Sequence, residues 1–282
     1  MTRSGGPNYP FTGAGHDILT RTCPLSDGRT LAYTIGGDSS GVPVVVHHGT
    51  PGSRLFALLF ADVATTAGVK LVVPDRPGCG QSSSPPSGWT WTDWRADLDE
   101  LLQTESIESA GMLGFSGGGP FAFEAATSDR ATQLGLVSTV VPPANNGLAT
   151  LASVPLALNL IFQFSGLLAR AFGPDLVVQQ YTDRSVSESV ARAVGADFQE
   201  ALRQGGSAIR REMRSFGNGS LNTGDLSIPV RAWHGTRDEN TPLSPVQSLV
   251  QDGDGTLCPS ETDHLGTLLA RRRDIVAWFG RE

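Results

Sequence analysis

Cysteine is scarce in this chain and poorly spaced for joint work. Cys23, Cys79 and Cys258 are odd in number, far apart, and no C-x-x-C pair occurs. Such a set excludes a disulfide framework and a C-x-x-C zinc or redox centre. Lysine is scarcer still: of 21 basic residues only Lys70 is a lysine, and it follows no glycine-rich turn. A P-loop, which needs a lysine directly after its last glycine, is thereby excluded. Basic clusters are missing apart from Arg271-Arg272-Arg273, which reads as the solvated face of a last helix, and the net charge is -7. Nucleic acid is not an expected partner. The opening MTRSGGPNYPFTGAGHD lacks the apolar core of a signal peptide, so the expected location is cytoplasmic.

What is present is a chain of 282 residues with 39% hydrophobic and 17% charged residues, enough for one large domain or a domain with an insertion. DILTRTC and RTLAYTIG flank SDGR and predict a β-hairpin turning at Asp27-Gly28. VPVVVHH, KLVVPD, AGMLGFS and LGLVSTVV are short continuous apolar runs, as strands buried on both faces require. Helical spacing separates them, in RLFALLFADVATTAG, TDWRADLDELLQ and the segment opened by GGGPFAFEAATS. The alternation fails between 143 and 225. It resumes with IPVRAWHG, a helix near 242–251, a short TLCP strand and a last helix from about 265 to 279. This order argues for an open, mostly parallel α/β sheet with an insertion over one edge.

The stretch GMLGFSGGGPFAFEAA (111–126) has two readings. Gly117-Gly118-Gly119-Pro120-Phe121-Ala122 fits G-x-G-x-x-G/A, but LVSTVVPPANN holds no acid where a dinucleotide site needs one for the ribose. Gly114-Phe115-Ser116-Gly117-Gly118 is G-x-S-x-G, the pattern of a nucleophile elbow. Its small residues let strand and helix pass closely and hold the serine at the C-terminal edge of the sheet, where the next helix presents free backbone N–H groups.

A serine hydroxyl needs a base, and the base needs an orienting acid. Asp238 stands in TRDENTP, in the loop after the strand IPVRAWHG, on the edge where sites form in such sheets. His264 stands in SETDHLG, in a loop just before the last helix, and is the one histidine of five in the position a base requires. Glu239 and Asp263 compete for the acid role. Asp263 is poorly placed because adjacent side chains diverge, and the region after the strand following Ser116 reads STVVPP, without a carboxylate. Two backbone N–H groups must also face the oxyanion. Gly117 follows the serine, and Thr50 lies in the loop VVVHHGTPGS, where Pro51 has no N–H to give. His47 and His48 are neighbours on a strand, point to opposite faces and lack a third ligand, so a metal site there is not expected.

With these residues the chain resembles the α/β-hydrolase superfamily over most of its length, in its serine esterase or lipase-like branch with a helical cap. The matching pieces are HHGTPGS (47–53), PDRPGCGQSS (74–83), GFSGGG (114–119), HGTRDENTP (234–242) and TDHLG (262–266), in the family's order. The resemblance implies an eight-stranded, mainly parallel sheet flanked by helices. It also implies a core of residues 1–142 and 226–282 and a cap, 143–225, inserted after the sixth strand. Asp75, in the DRPG turn, matches a family position of structural role. Epoxide hydrolases and haloalkane dehalogenases use an Asp nucleophile where this chain has Ser116, which points to acyl chemistry through a serine ester. Proline-type aminopeptidases share a similar early loop and need cap carboxylates for a substrate ammonium, with Glu188, Asp197 and Glu200 as candidates. C–C hydrolases, lyases and perhydrolases use much the same residues, and some family members are non-catalytic binding proteins.

The most apolar stretch is 147–173, broken by Pro155 and by Thr150, Ser153, Asn159, Gln163, Ser165 and Arg170. It is expected to form cap helices rather than to insert stably in a membrane. Leu158, Ile161 and Phe162, with Leu156 and Phe164, are expected to line an apolar pocket. The expected activity is hydrolysis of carboxylic esters with hydrophobic acyl or alcohol groups, on a small-molecule substrate, with no metal or organic cofactor. The oligomeric state is not legible.

Overall fold

The computed structural model describes residues 18–144 and 173–280. Its centre is an eight-stranded sheet: β1 (Leu19–Pro24), β2 (Thr30–Gly37), β3 (Val42–His47), β4 (Val69–Pro74), β5 (Ala110–Phe115), β6 (Ala131–Val137), β7 (Val230–Gly235) and β8 (Thr256–Ser260). The spatial order is β1-β2-β4-β3-β5-β6-β7-β8. β1 and β2 form the expected hairpin, pairing Leu19 with Ile35 and Pro24 with Thr30. Gly28, at φ 86°, takes the left-handed position its turn requires. β2 is also antiparallel to β4, and every later pairing is parallel.

Strand alternation divides the core in two. Val44, Val46, Leu113 and Phe115 face one apolar layer, with Ile275, Val276 and Phe279 of the last helix. Val45, Met112, Leu134 and Leu136 face the other, with Leu98, Leu101, Leu102 and Phe121. The first layer packs helices α1 (Ala61–Thr66) and α8 (His264–Phe279); the second packs α2 (Trp94–Thr104), α3 (Gly119–Ala126) and α7 (Leu243–Asp252). The single helix expected over RLFALLFADVATTAG is instead a 3-10 turn, Arg54–Leu59, followed by α1. The break falls at buried Phe60, whose φ of -124° leaves the helical region. Between β6 and β7 the described residues form α4 (Asp175–Val178), α5 (Glu188–Ala201) and α6 (Ser207–Ser215).

The chain runs from β3 to β4 on one side, then returns across β3 to β5 on the other. At such a reversal the loops leaving the C-terminal ends of the two strands separate and leave a crevice. The loops in question begin at His48 and at Ser116.

Candidate active site

Ser116 follows β5 directly and opens a 3-10 turn, Ser116–Gly118, that leads into α3 with Pro120 in its first turn. Its φ is 53°, a left-handed conformation that a non-glycine residue adopts only under local constraint. The constraint is visible in the glycines around it. A Cβ on Gly114 would stand 2.8 Å from Ala122 Cβ and from the Gly118 carbonyl, and one on Gly118 would overlap the His47 carbonyl. Strand, turn and helix are therefore packed backbone to backbone, and the Ser116 carbonyl is fixed by the Val140 N–H at 3.0 Å.

His264 is the first residue of α8 rather than a residue of the preceding loop, because Asp263 caps the helix by accepting the Gly266 N–H at 2.8 Å. Asp263 also accepts from Thr182 Oγ1 at 2.8 Å and from the Asp183 N–H at 3.0 Å. Those bonds commit it to structure. His264 Nδ1 instead meets Asp238 Oδ2 at 2.8 Å and Oδ1 at 3.0 Å, deep inside the protein. With carboxylate oxygens as its partners, Nδ1 carries a proton, and Nε2 is on the side of the ring away from Asp238. The imidazole lies 5.1 Å from the ring of Phe115, the residue before Ser116, and stacks at 6.2 Å against Tyr181. Glu239, the other competitor for the acid, is exposed.

Asp238 is held from several sides. Its Oδ1 accepts the N–H groups of Asn240 (3.0 Å) and Thr241 (2.9 Å), and its Oδ2 accepts Thr241 Oγ1 (2.9 Å). Burial works against its charge, but the hydrogen bond and charge of His264, with the Thr241 N–H, outweigh it and hold the carboxyl below its usual range. His234, at the end of β7, approaches Oδ2 at 3.7 Å and is tied by Nε2 to the Thr241 carbonyl at 3.0 Å; burial depresses its pKa. Ser138, itself at φ 44°, fixes the His264 carbonyl through its hydroxyl at 3.1 Å. Thr241, His234 and Ser138 were not expected as site residues. Thr241 alone carried a signal: a hydroxyl three residues after an Asp, the spacing at which a carboxylate folds back on its own loop.

Thr50 and Gly117 also meet. A Cβ on Gly117 would fall 3.2 Å from the Thr50 nitrogen, and one on Gly49 would fall 3.6 Å from Ser116 Cβ. The Thr50 loop is anchored by buried charge. Arg76 holds the carbonyls of His48 (2.5 Å) and Gly49 (3.0 Å) and pairs with Glu212 of α6. Arg54 pairs with Asp75 at 2.8 Å and Glu200 of α5 at 2.6 Å. Asp75 thus holds Arg54 and the start of its turn, the structural role the resemblance implied. Asp197 of α5 accepts the N–H and hydroxyl of Ser53 at 2.7 and 2.8 Å; burial raises its carboxyl to about 7 against those hydrogen bonds. The rows of charge linking loops to α5 and α6 have no sequence signature.

Leu158, Ile161 and Phe162 lie outside the described residues, as do the other residues of 145–172. Among the described residues no helix is long and apolar enough to cross a membrane, and no group of three His, Cys, Asp or Glu could hold a metal ion. His47 and His48 are buried and turn their Nδ1 atoms to the carbonyls of Leu113 (3.1 Å) and Gly49 (2.8 Å).

A model of the alpha/beta hydrolase fold matches residues 42–251, and the chain belongs to that family. Its sequence is similar to a non-heme chloroperoxidase of Streptomyces lividans, 33% identical over 43% of this chain and 45% of that protein. It is likewise similar to a proline iminopeptidase of Lactobacillus helveticus, 31% identical over 38% of this chain and 37% of the other. The chain spans less than half the length of these curated relatives. Similar solved structures include a hydrolase from Pseudomonas aeruginosa PA01, with TM-score 0.73, 21% identity and coverage of 95% of this chain and 100% of that one. An esterase from Exiguobacterium antarcticum has TM-score 0.70 at 17% identity, covering 92% and 97%. At such identities the structures share the fold.

Proposed function

We propose that the protein is a serine hydrolase of carboxylic esters, with Ser116 as nucleophile, His264 as base and Asp238 as its orienting acid. The observations that carry the reading are the pairing of His264 Nδ1 with Asp238 at 2.8 and 3.0 Å, the His264 ring 5.1 Å from that of Phe115, and the next residue, Ser116, held at φ 53°. As Ser116 Oγ bonds to the carbonyl carbon, His264 Nε2 takes its proton and the carbonyl pair moves onto oxygen. The N–H groups of Thr50 and Gly117 stabilise that oxyanion. Collapse expels the alcohol, which receives the proton from His264 and leaves an acyl ester on Ser116. Water then attacks by the same steps and frees the acid. Residues 143–225 act as the cap over this site. Leu158, Ile161 and Phe162 supply part of its apolar lining, which suits a small molecule with hydrophobic acyl or alcohol groups.

The aminopeptidase alternative requires a carboxylate for the substrate ammonium. Residues 130–174 contain no Asp or Glu. In 175–225, Asp175, Asp183, Glu188 and Asp225 are exposed, while Asp197, Glu200 and Glu212 are buried and bonded to Ser53, Arg54 and Arg76. The candidates Asp197 and Glu200 therefore serve as anchors, and Glu188 faces solvent, which favours neutral esters.

A fluorophosphonate probe tests the reading. Labelling is expected in the wild type and in Ser165→Ala and lost in Ser116→Ala. Labelling that survives Ser116→Ala refutes the assignment. In a parallel panel, p-nitrophenyl esters should be cleaved and proline p-nitroanilide left intact.

A further inference from the structure

Thr50 touches more of the protein than a loop N–H donor needs to. Its hydroxyl donates to Glu212 Oε2 at 2.6 Å and accepts from Arg76 Nη2 at 2.9 Å. Arg76 Nε and Nη2 in turn reach Glu212 Oε1 and Oε2 at 2.7 and 2.8 Å, a two-pronged pair with both side chains fully buried. The guanidinium carbon lies over Phe121 of α3, 4.3 Å from the ring centre. It is thus fixed between the helix that follows Ser116 and the acid of α6.

The consequence follows from peptide geometry. Arg76 Nη2 holds the Gly49 carbonyl at 3.0 Å. In a trans peptide the carbonyl and the next N–H point in opposite directions, so pinning the Gly49 oxygen aims the Thr50 N–H away from Arg76. The elbow packs against Thr50 itself: the Gly117 Cβ position is 2.5 Å from the Thr50 hydroxyl, 2.7 Å from its Cβ and 3.2 Å from its nitrogen. We propose that Glu212 is a positioning residue for the oxyanion site, acting through Arg76 and the Thr50 hydroxyl to orient the Thr50 N–H. The inserted segment then contributes to transition-state stabilisation as well as to substrate selection. This inference rests on the serine-hydrolase reading above.

Thr50→Val is the decisive variant, because it keeps the backbone N–H and the side-chain shape and removes only the hydroxyl. With p-nitrophenyl butyrate, kcat should fall about tenfold with KM within about twofold, since a slightly misaimed donor is felt in the transition state and not in ground-state binding. The inhibition constant of an aliphatic trifluoromethyl ketone, whose adduct with Ser116 places an oxyanion between the two donors, should rise by the same factor. Thr50→Ser should recover most of the loss. Glu212→Gln should show the same split, and the double variant should be no worse than the poorer single one. Wild-type kcat and ketone affinity in Thr50→Val, or a loss confined to KM, overturns the proposal even though Ser116 still labels. If Glu212→Gln fails to fold, Thr50→Val and Thr50→Ser decide alone. A wild type that cleaves no ester and takes no probe at Ser116 refutes the underlying reading, and this inference with it.

Discussion

Replacing Asp197 by Asn should stabilise the protein in neutral and alkaline solution and leave it nearly unchanged in acid. Asp197 is 8% exposed, and burial raises its carboxyl to about 7 in the face of two hydrogen bonds from Ser53. Asp75 nearby pushes in the same direction as burial, and Arg76 opposes it. A folded-state pKa above the unfolded one means that the native protein binds more protons between the two values. Stability from this group is complete below the unfolded pKa and is lost as pH rises towards 7. A displacement of about three units corresponds to at most about 4 kcal/mol, at roughly 1.4 kcal/mol per unit. Asn keeps an oxygen for Ser53 and has no charge to bury. Urea unfolding of both proteins from pH 4 to 8.5 measures the effect. The variant's advantage should grow between about pH 4 and 7, by about 1–4 kcal/mol, and then level off. A difference that does not depend on pH refutes the reasoning, because it would mean that Asp197 is ionised at no cost.

Arg54→Leu should cost about 3–5 kcal/mol at pH 7, since it strips the buried guanidinium from Asp75, which is fully buried, and from Glu200. The loss, read from urea unfolding, should shrink in acid as Asp75 protonates, its carboxyl being already raised by burial. Asp238→Asn should fold normally, because the Asn240 and Thr241 N–H groups still find an oxygen. Its amide would turn an N–H towards His264 Nδ1 and reverse the tautomer, lowering kcat roughly 10³–10⁴-fold with little change in KM. A loss of less than about tenfold in steady-state ester hydrolysis would remove Asp238 from the acid role.

Local chemistry made the strands, the elbow and the three candidate residues legible in the sequence. Continuous apolar runs announced β3 to β6, and the glycines flanking Ser116 announced a turn too tight for side chains, which the Gly114 and Gly118 contacts explain. Asp238 and His264 could be selected because each follows a strand on one edge of the sheet. What was not legible depends on contacts between distant segments. Nothing near Arg76 says that its partner is Glu212, 136 residues later, or that Ser53 meets Asp197, 144 residues away. The last helix begins at His264, one residue before the expected start near 265, because the Asp263 side chain caps it through the Gly266 N–H.

The same long-range contacts explain how four carboxylates can be buried behind the loops of one site. Asp75 and Glu200 share Arg54, and Glu200 is also approached by Arg203 at 3.6 Å. Glu212 pairs with Arg76. Asp197 is held by Ser53, a neutral donor, and burial outweighs those hydrogen bonds and the charge of Arg76, raising its carboxyl to about 7. Burial raises the carboxyls of both Asp197 and Asp75, the latter against the charge of Arg54. The arrangement also bears on how α5 and α6 move. Lifting them from the loops would separate Arg54 from Glu200 and Arg76 from Glu212 together, and each separation must rehydrate a buried ion pair whose partner stays in the core. A buried pair broken on one side costs several kcal/mol. In the proposed enzyme these pairs tie α5 and α6 to the oxyanion side of the site.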